Sequence, residues 1–152
     1  MKPIIALTAI CIFTITNTTF AEKQIKKSDL PPAVLKTADE QSAGATVHGY
    51  AKDVEGGKVE YEVQLLVNGH TKDVTMDSQG NVTEIEEQVE TDELSANVRD
   101  GLQKLAGSGR ITKVESLTKH GNIVAYEAQV MTNGKHSEIQ VGPDGQKLNH
   151  EE

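Results

Sequence analysis

The chain has 152 residues and a formal net charge of −8 at pH 7, with 25% charged and 3% aromatic residues. This acidic balance argues against nucleic-acid binding, which requires a basic surface. The single cysteine, Cys11, excludes an internal disulfide. A chain of this length can still bury a sufficient core without one.

The beginning of the chain has the order of a secretory signal peptide. Lys2 gives a positive start, residues 4–13 form a mostly apolar run, and residues 19–21 (Thr-Phe-Ala) provide a small-x-small cleavage site. We therefore expect cleavage between Ala21 and Glu22 and a periplasmic or secreted location through bacterial export. The apolar run is shorter than the about 20 residues that cross a bilayer, so no membrane span is expected in the mature chain.

Two helices are predicted from caps and apolar spacing. Pro31 and Pro32 suit a first helical turn, where a missing N–H costs nothing, and Ser28 or Asp29 can cap it. A second cap, Thr91 or Asp92, precedes an apolar stripe at helical spacing. That stripe consists of Leu94, Val98, Leu102 and Leu105.

An internal repeat dominates the rest of the chain. Residues 58–70 return, with substitutions, as residues 123–135, and apolar and polar residues alternate along both segments. Each segment contains an Asn-Gly pair, Asn68-Gly69 and Asn133-Gly134, which favours a type I′ hairpin turn. We predict an α+β fold of two tandem repeats, each one helix followed by an antiparallel β-meander of three to four strands.

The predicted organisation has four parts: a signal peptide over 1–21, a linker over 22–28, a first repeat over 29–90 and a second over 91–152. Residues 82–89 form either a fourth strand of the first repeat or a spacer. An acidic run overlaps them and is interpreted as a solvated linker or edge strand, with weak cation binding as the alternative. The run comprises Glu84, Glu86, Glu87, Glu90, Asp92 and Glu93.

Three motifs of the first repeat resemble the PepSY family: Asp-Leu-Pro-Pro-x-Val at 29–34, Val-Glu-Tyr-Glu-Val at 59–63 and Val-Thr-Met-Asp-x-x-Gly-x-Val at 74–82. Tandem copies also resemble the β-lactamase-inhibitor-like arrangement, in which two helix-plus-sheet repeats present a concave sheet surface. The resemblance implies an exported, non-enzymatic module that inhibits peptidases or controls extracytoplasmic enzymes. It implies no catalytic residues. The second copy departs from the pattern because Gly142 stands where the first copy has Asp77.

The serine and histidine residues do not occur in the sequence patterns that are typical of catalytic or metal sites. Ser108, in Gly107-Ser-Gly109, comes nearest to a nucleophile elbow but fits a helix-to-strand loop better. The histidines lack metal-ligand spacing on a helix and are interpreted as solvated. We therefore predict no enzyme activity, no catalytic residues, no metal site and no cofactor. The five histidines are His48, His70, His120, His136 and His150.

Two classes of function remain. The first is a protein-binding module that inhibits or regulates an extracytoplasmic enzyme such as a peptidase, through a protein partner of unknown identity. The second is an extracytoplasmic protein that binds a small ligand or a cation through its acidic surface and histidines. The candidate partner surface is the solvent face of the two sheets together with the Asn-Gly turns, and its named residues are Asn68, Gly69, His70, Asp77, Asn133, Gly134 and Lys135.

Overall fold

The computed structural model describes residues 23–55, 57–150 and 152. The proposed leader and the cleavage site between Ala21 and Glu22 lie outside these residues. Strands and helices follow in this order: β1 (Lys23–Ile25), a 3-10 helix (Lys27–Asp29), α1 (Pro32–Gln41), β2 (Thr46–Glu55), β3 (Lys58–Val67), β4 (His70–Asp77), β5 (Val82–Gln88), α2 (Ala96–Ala106), β6 (Arg110–Lys119), β7 (Asn122–Thr132) and β8 (Lys135–Val141).

The strands form one continuous antiparallel sheet of eight strands in chain order. The prediction of an α+β fold built from two tandem helix-plus-meander repeats is therefore wrong: the residues that the structure describes are mostly β, with two short α-helices. The physical reason is the direct pairing of β5 with β6, in which Glu84 lies opposite Lys119 and Gln88 opposite Glu115. Glu84, Glu86 and Glu87 thus lie on a central strand, whereas Glu90, Asp92 and Glu93 lie in the segment between β5 and α2.

Both Asn-Gly turns are confirmed. Asn68 and Gly69 have φ of 53° and 92°, and Asn133 and Gly134 have φ of 51° and 79°. Positive φ at both central residues is the geometry of a type I′ turn, whose twist matches that of the flanking strands. These turns fix the β3–β4 and β7–β8 registers.

The two helices cover one face of the sheet. Strand register places the apolar positions of β3 and β4 on the same face as those of β6, β7 and β8, because directly opposite residues point to the same side. Under α1 the buried cluster is Leu30, Val34, Ala38, Tyr61, Val63, Leu65, Val74 and Met76. Under α2 it is Leu94, Val98, Leu102, Val114, Ala128 and Val141.

The turns that follow β4 and β8 pack against the helix starts. Thr37 in α1 donates a hydrogen bond to the carbonyl of Gly80 at 2.8 Å. On the other side, Gly145 lies directly against the backbone of Asn97 and against Gly101 in α2, with no room for a Cβ atom. Each helix is therefore held by a strand end as well as by its apolar stripe.

Within the part of the chain that the structure describes, neither helix has the length and apolar content needed to cross a membrane.

Candidate partner-binding groove

The face of the sheet opposite the helices carries an open groove of about 860 Å³. We call it the acidic groove. It runs across β2 to β6 and includes residue 152. Its lining consists of Ala51, Asp53, Lys58, Glu60, Tyr61, Glu62, Gln64, Asp73, Thr75, Thr83, Glu84, Glu86, Lys119, His120 and Glu152.

Strand alternation produces this groove. On β3, Tyr61, Val63 and Leu65 point to the helices and are buried, so the residues between them point to the opposite face. The same logic applies on β5, where Ile85 packs toward α1 while Glu84 and Glu86 face the groove. Carboxylates at the polar positions of neighbouring strands therefore collect on one surface.

The groove is strongly acidic. Seven aspartate or glutamate side chains line it, against two lysines. Lys119 is already engaged, since its Nζ lies 3.1 Å from Glu84 Oε2 and 3.7 Å from Glu152 Oε2. The pKa of Lys119 is raised: burial alone would lower it, but the hydrogen bond and charge of Glu84 and then those of Glu152 outweigh burial.

At one end of the groove, three carboxylates converge from β4, β5 and β6. They belong to Asp73, Glu86 and Glu115. Asp73 is directly opposite Glu86 in the β4–β5 ladder, and Glu115 reaches the pair from the next strand. One carboxylate oxygen from each of the three lies within 4.8 Å of the others. Carboxylate oxygens at this spacing are suitable ligands for Ca²⁺ or Mg²⁺.

This convergence changes the chemistry of Glu86. Burial, and then repulsion from Glu84, Glu115, Glu127 and Asp73, raises the pKa of Glu86 to about 8. Near neutral pH a large fraction of Glu86 therefore keeps its proton. A cation bound beside it would displace that proton.

Glu115 is held in place by protein groups. Lys113 Nζ lies 2.6 Å from Glu115 Oε1, and Thr71 Oγ1 donates to the same oxygen at 3.3 Å. Glu115 is only 5% exposed. One of the three carboxylates thus already has a positive partner, and the cluster is part of a network between β4 and β6.

The predicted partner surface is spread over the two ends of the sheet. Because successive strands are antiparallel and lie in chain order, the turns at Asn68-Gly69 and Asn133-Gly134 lie at the same end. Four strand spacings separate them, or roughly 19 Å. Two residues adjoin these turns: His70, whose Nε2 lies 3.0 Å from Glu90 Oε1, and the exposed Lys135.

Asp77 lies at the opposite end of the sheet, at the end of β4. Its carboxylate accepts hydrogen bonds from the backbone N–H of Gln79 at 2.8 Å and of Asn81 at 2.9 Å. The hydrogen bonds from Asn81, above all, lower the pKa of Asp77. Asp77 therefore holds the turn that follows β4. It does not lie beside the Asn-Gly turns, with which the sequence analysis grouped it.

Sequence reasoning predicts the solvent face of the sheets as part of the partner surface, but it names none of the groove residues among those of that surface. It noted Glu84 and Glu86 as members of an acidic run, but it did not connect them with Asp73 or Glu115 and predicted no metal site. A detectable signal was present: carboxylates occupy the polar positions of several alternating segments. Their meeting depends on β5 pairing with both β4 and β6, which the repeat alone does not show.

Several solved structures share this fold. A DUF2874 family protein from Bacteroides ovatus matches with a TM-score of 0.61 at 18% identity, covering 79% of this chain and 85% of that one. A protein from Bacteroides eggerthii, described as a candidate periplasmic protein, matches with a TM-score of 0.63 at 18% identity, covering 79% and 86%. A BLIP-like protein from Bacteroides fragilis matches with a TM-score of 0.58 at 17% identity, covering 79% and 84%.

At these identities the similarities show the fold alone, which this chain shares with the BLIP-like protein. No family model matches the sequence, and no curated protein matches it. The resemblance to PepSY therefore stands on the residues quoted above.

Proposed function

We propose that this protein is an exported, non-enzymatic module that binds a basic segment of a protein partner in its acidic groove. The observation that carries the proposal is the open sheet face lined by seven carboxylates and two lysines. A partner rich in lysine and arginine complements this charge. Regulation or inhibition of an extracytoplasmic enzyme, such as a peptidase, is the role we assign to that binding.

The form of the groove favours a macromolecule over a small molecule. Sites for small organic ligands are mostly apolar and enclose the ligand, with a few placed polar groups. Here charged side chains line an open surface that extends over five strands. Such a surface suits an extended polypeptide, whose contacts are distributed along its length.

Export is supported by two independent observations. One is the signal-like order of the first 21 residues, with Ala21 and Glu22 at the expected cleavage site. The other is that fold neighbours include a candidate periplasmic protein and a BLIP-like protein.

Binding through this surface is expected to be electrostatic and salt-sensitive. Interface hot spots favour Trp, Tyr and Arg, but the chain has no Trp and Tyr61 is only 8% exposed, in the core under α1. Charges on an exposed surface are screened over about 8 Å at physiological ionic strength. They contribute more to the association rate and to partner choice than to raw affinity.

The test uses residues 22–152, which contain every described helix and strand. Immobilised protein is exposed to an extracytoplasmic extract at low and high salt, beside a Glu60→Gln, Glu62→Gln variant and an Asp92→Asn, Glu93→Gln control. Both variants lose two negative charges, but Asp92 and Glu93 are exposed in the segment between β5 and α2. We expect one stoichiometric basic protein, retained by wild type and control at low salt and at least about tenfold depleted with the groove variant.

Equal recovery with the groove variant and the control would contradict docking in the groove. The turn residues proposed from the sequence form a separate arm, with His70→Ala and Lys135→Ala in one variant. Loss of the partner only in that arm would assign binding to the end of the sheet that carries Asn68-Gly69 and Asn133-Gly134. Recovery of no stoichiometric partner would contradict the protein-binding function itself.

A second candidate function is the binding of a divalent cation, favoured by the three carboxylate oxygens of Asp73, Glu86 and Glu115 within 4.8 Å of one another. Calorimetry with Ca²⁺ is expected to show binding to the wild type with release of a proton, because a ligand oxygen of Glu86 must be deprotonated. Asp73→Asn is expected to abolish the heat, whereas Asp92→Asn in the exposed segment retains it. Absence of heat up to millimolar Ca²⁺ would exclude this function.

A further inference from the structure

Strand β8 leaves an exposed backbone edge at one side of the sheet. It is the last strand in the sheet order and is seven residues long, and its first four residues, Lys135 to Glu138, are all exposed. At the far end of β8 the C-terminal segment contacts the strand, through a bridge from Lys147 to Val141 and a hydrogen bond from the backbone N–H of Glu152 to Gln140 Oε1 at 2.9 Å. The opposite edge strand, β1, has only three residues. An unprotected edge of this kind is a template for pairing with another strand.

The β7–β8 turn fixes which backbone groups of β8 point outward. The two-residue turn Asn133-Gly134 is closed by Thr132 opposite Lys135, and such a closing pair is hydrogen-bonded. Hydrogen-bonded residues alternate along the ladder, so Ser137 also bonds to β7. The amide and carbonyl groups of His136 and Glu138 therefore point away from β7, toward the free side.

We propose that β8 pairs antiparallel with β8 of a second copy, about a two-fold axis at Ser137. In this register His136 of one copy lies opposite Glu138 of the other, twice, and these are the residues whose backbone groups are available. An imidazole N–H can donate a hydrogen bond to the facing carboxylate. Opposite-charge and hydrogen-bonding cross-strand pairs stabilise a sheet, whereas like charges directly opposite destabilise it.

The alternative registers are less favourable. Moving the two-fold axis by one residue, from Ser137 to Glu138 or His136, places Glu138 opposite Glu138 or His136 opposite His136. Only residues whose backbone groups point outward can form the hydrogen-bonded pairs. The proposed register also uses only Lys135 to Ile139, and so excludes Gln140 and Val141, which already contact Glu152 and Lys147. The free length of the edge, its backbone phase and its side chains thus agree on one arrangement.

The pairing would join two eight-stranded sheets through a closed, two-fold interface. It leaves the groove lining on β2 to β6 untouched and does not depend on the proposed partner. Pairing of β8 with β1 of another copy would instead be head-to-tail, and would generate open filaments. The molecular mass in solution therefore distinguishes the two modes. Pairing of β8 with β8 gives a dimer, whereas pairing of β8 with β1 gives oligomers of increasing size.

A disulfide trap tests the register. Ser137 lies opposite itself as a non-hydrogen-bonded pair, for which Cα atoms are about 4.5 Å apart, within the range that a disulfide bridges. Residues 22–152 contain no cysteine, so Ser137→Cys introduces the single thiol. Under mild oxidation we expect this variant to form a covalent dimer at least about tenfold faster than Ser78→Cys, an exposed serine in the β4–β5 turn. Equal rates for the two variants would overturn the proposal.

Charge exchange supplies a second readout that does not require a new cysteine. Sedimentation velocity over a concentration series is expected to show a monomer–dimer equilibrium for the wild type. With Glu138→Lys alone, the lysine faces His136 and has no carboxylate partner. With His136→Glu alone, two carboxylates face each other. Each single substitution is expected to shift the protein to monomer. The variant that carries both substitutions restores the dimer, because a carboxylate and an ammonium group again face each other across the axis, with their positions exchanged. A wild type that stays monomeric at all concentrations would overturn the proposal, as would a double variant that behaves like either single one.

Discussion

Replacing Gly145 with alanine is expected to lower the free energy of unfolding by about 2–4 kcal/mol, through strained backbone and overpacking. Gly145 has a φ of 79°, which non-glycine residues adopt at a cost. A Cβ atom there would also collide with the backbone of Asn97. Backbone cannot rotate away as a side chain can, so α2 would have to move from the end of β8.

Gly134→Ala is the matched control. Gly134 has the same φ of 79°, but a Cβ atom there would meet nothing within 4 Å. We expect this variant to lose only the conformational part, about 1–2 kcal/mol. Urea unfolding of both variants beside the wild type measures the difference. Equal losses would show that the contact between the β8 turn and α2 contributes nothing.

The local parts of this fold are encoded by local sequence. Period-two alternation in residues 58–67 and 123–132 predicts two of the strands that the structure contains, and the Asn-Gly pairs predict their turns. These signals arise because side chains alternate between faces and because few residues accept positive φ. Each depends only on neighbours along the chain.

The continuity of the sheet is not encoded in that way. Segment 82–88 has few apolar residues and several glutamates, so its composition is typical of a solvated segment. It becomes a central strand because its ladders with β4 and β6 use backbone groups that any residue provides. Lys119 opposite Glu84 also offsets one of the charges. A strand held by its neighbours gives a weak signal of its own.

Helix starts show a similar limit. Thr91 and Asp92 are good capping residues, and the sequence predicts one or the other as the cap. Ser95 caps α2 instead, accepting a hydrogen bond from Val98 N at 3.3 Å. The first helix begins after Pro31, with no side-chain cap. Several adjacent polar residues have similar capping propensity, so packing of Val98 and Leu102 on the sheet decides which one lies at the start.

The candidate site was less predictable than the fold. Asp73, Glu86 and Glu115 are far apart in sequence and meet only through two ladders. The sequence predicts a partner surface on the solvent face of the sheets, but the residues that it names lie at turns, because turns are the part of a strand pattern most easily recognised. A site on a sheet face requires strand order, and strand order was the missing information.

Removing the charge of Glu86 is expected to stabilise the protein at high pH. The surroundings of Glu86 raise its pKa from 4.5 to about 8, first through burial and then through nearby carboxylates. Glu86→Gln keeps the shape and removes the charge. At about pH 9 we expect this variant to exceed the wild type by on the order of 2 kcal/mol in free energy of unfolding, less than the full pKa shift implies because the site is partly solvated.

The sign follows from proton binding in the two states. Below pH 4.5 both the folded and the unfolded wild type hold this proton, so Glu86 contributes no pH dependence there. Between that value and about pH 8 the unfolded chain releases the proton while the folded protein retains it. The wild type therefore loses stability as pH rises through this window, and the advantage of Glu86→Gln grows with it. At about pH 4 the two proteins should differ little from this cause.

Glu87→Gln controls for the loss of one negative charge. Glu87 is the next residue of β5 and is exposed on the other face, away from Asp73 and Glu115. From urea unfolding at several pH values, we expect the free energy of unfolding of Glu87→Gln to change with pH as it does in the wild type. For Glu86→Gln we expect it to change less with pH. Parallel curves for Glu86→Gln and the wild type would contradict a raised pKa.

Because Ca²⁺ would also relieve repulsion at this cluster, its addition at high pH should stabilise the wild type more than Glu86→Gln, if the three carboxylates bind it. A cation effect of equal size in both proteins would place binding elsewhere, while leaving the pH argument intact.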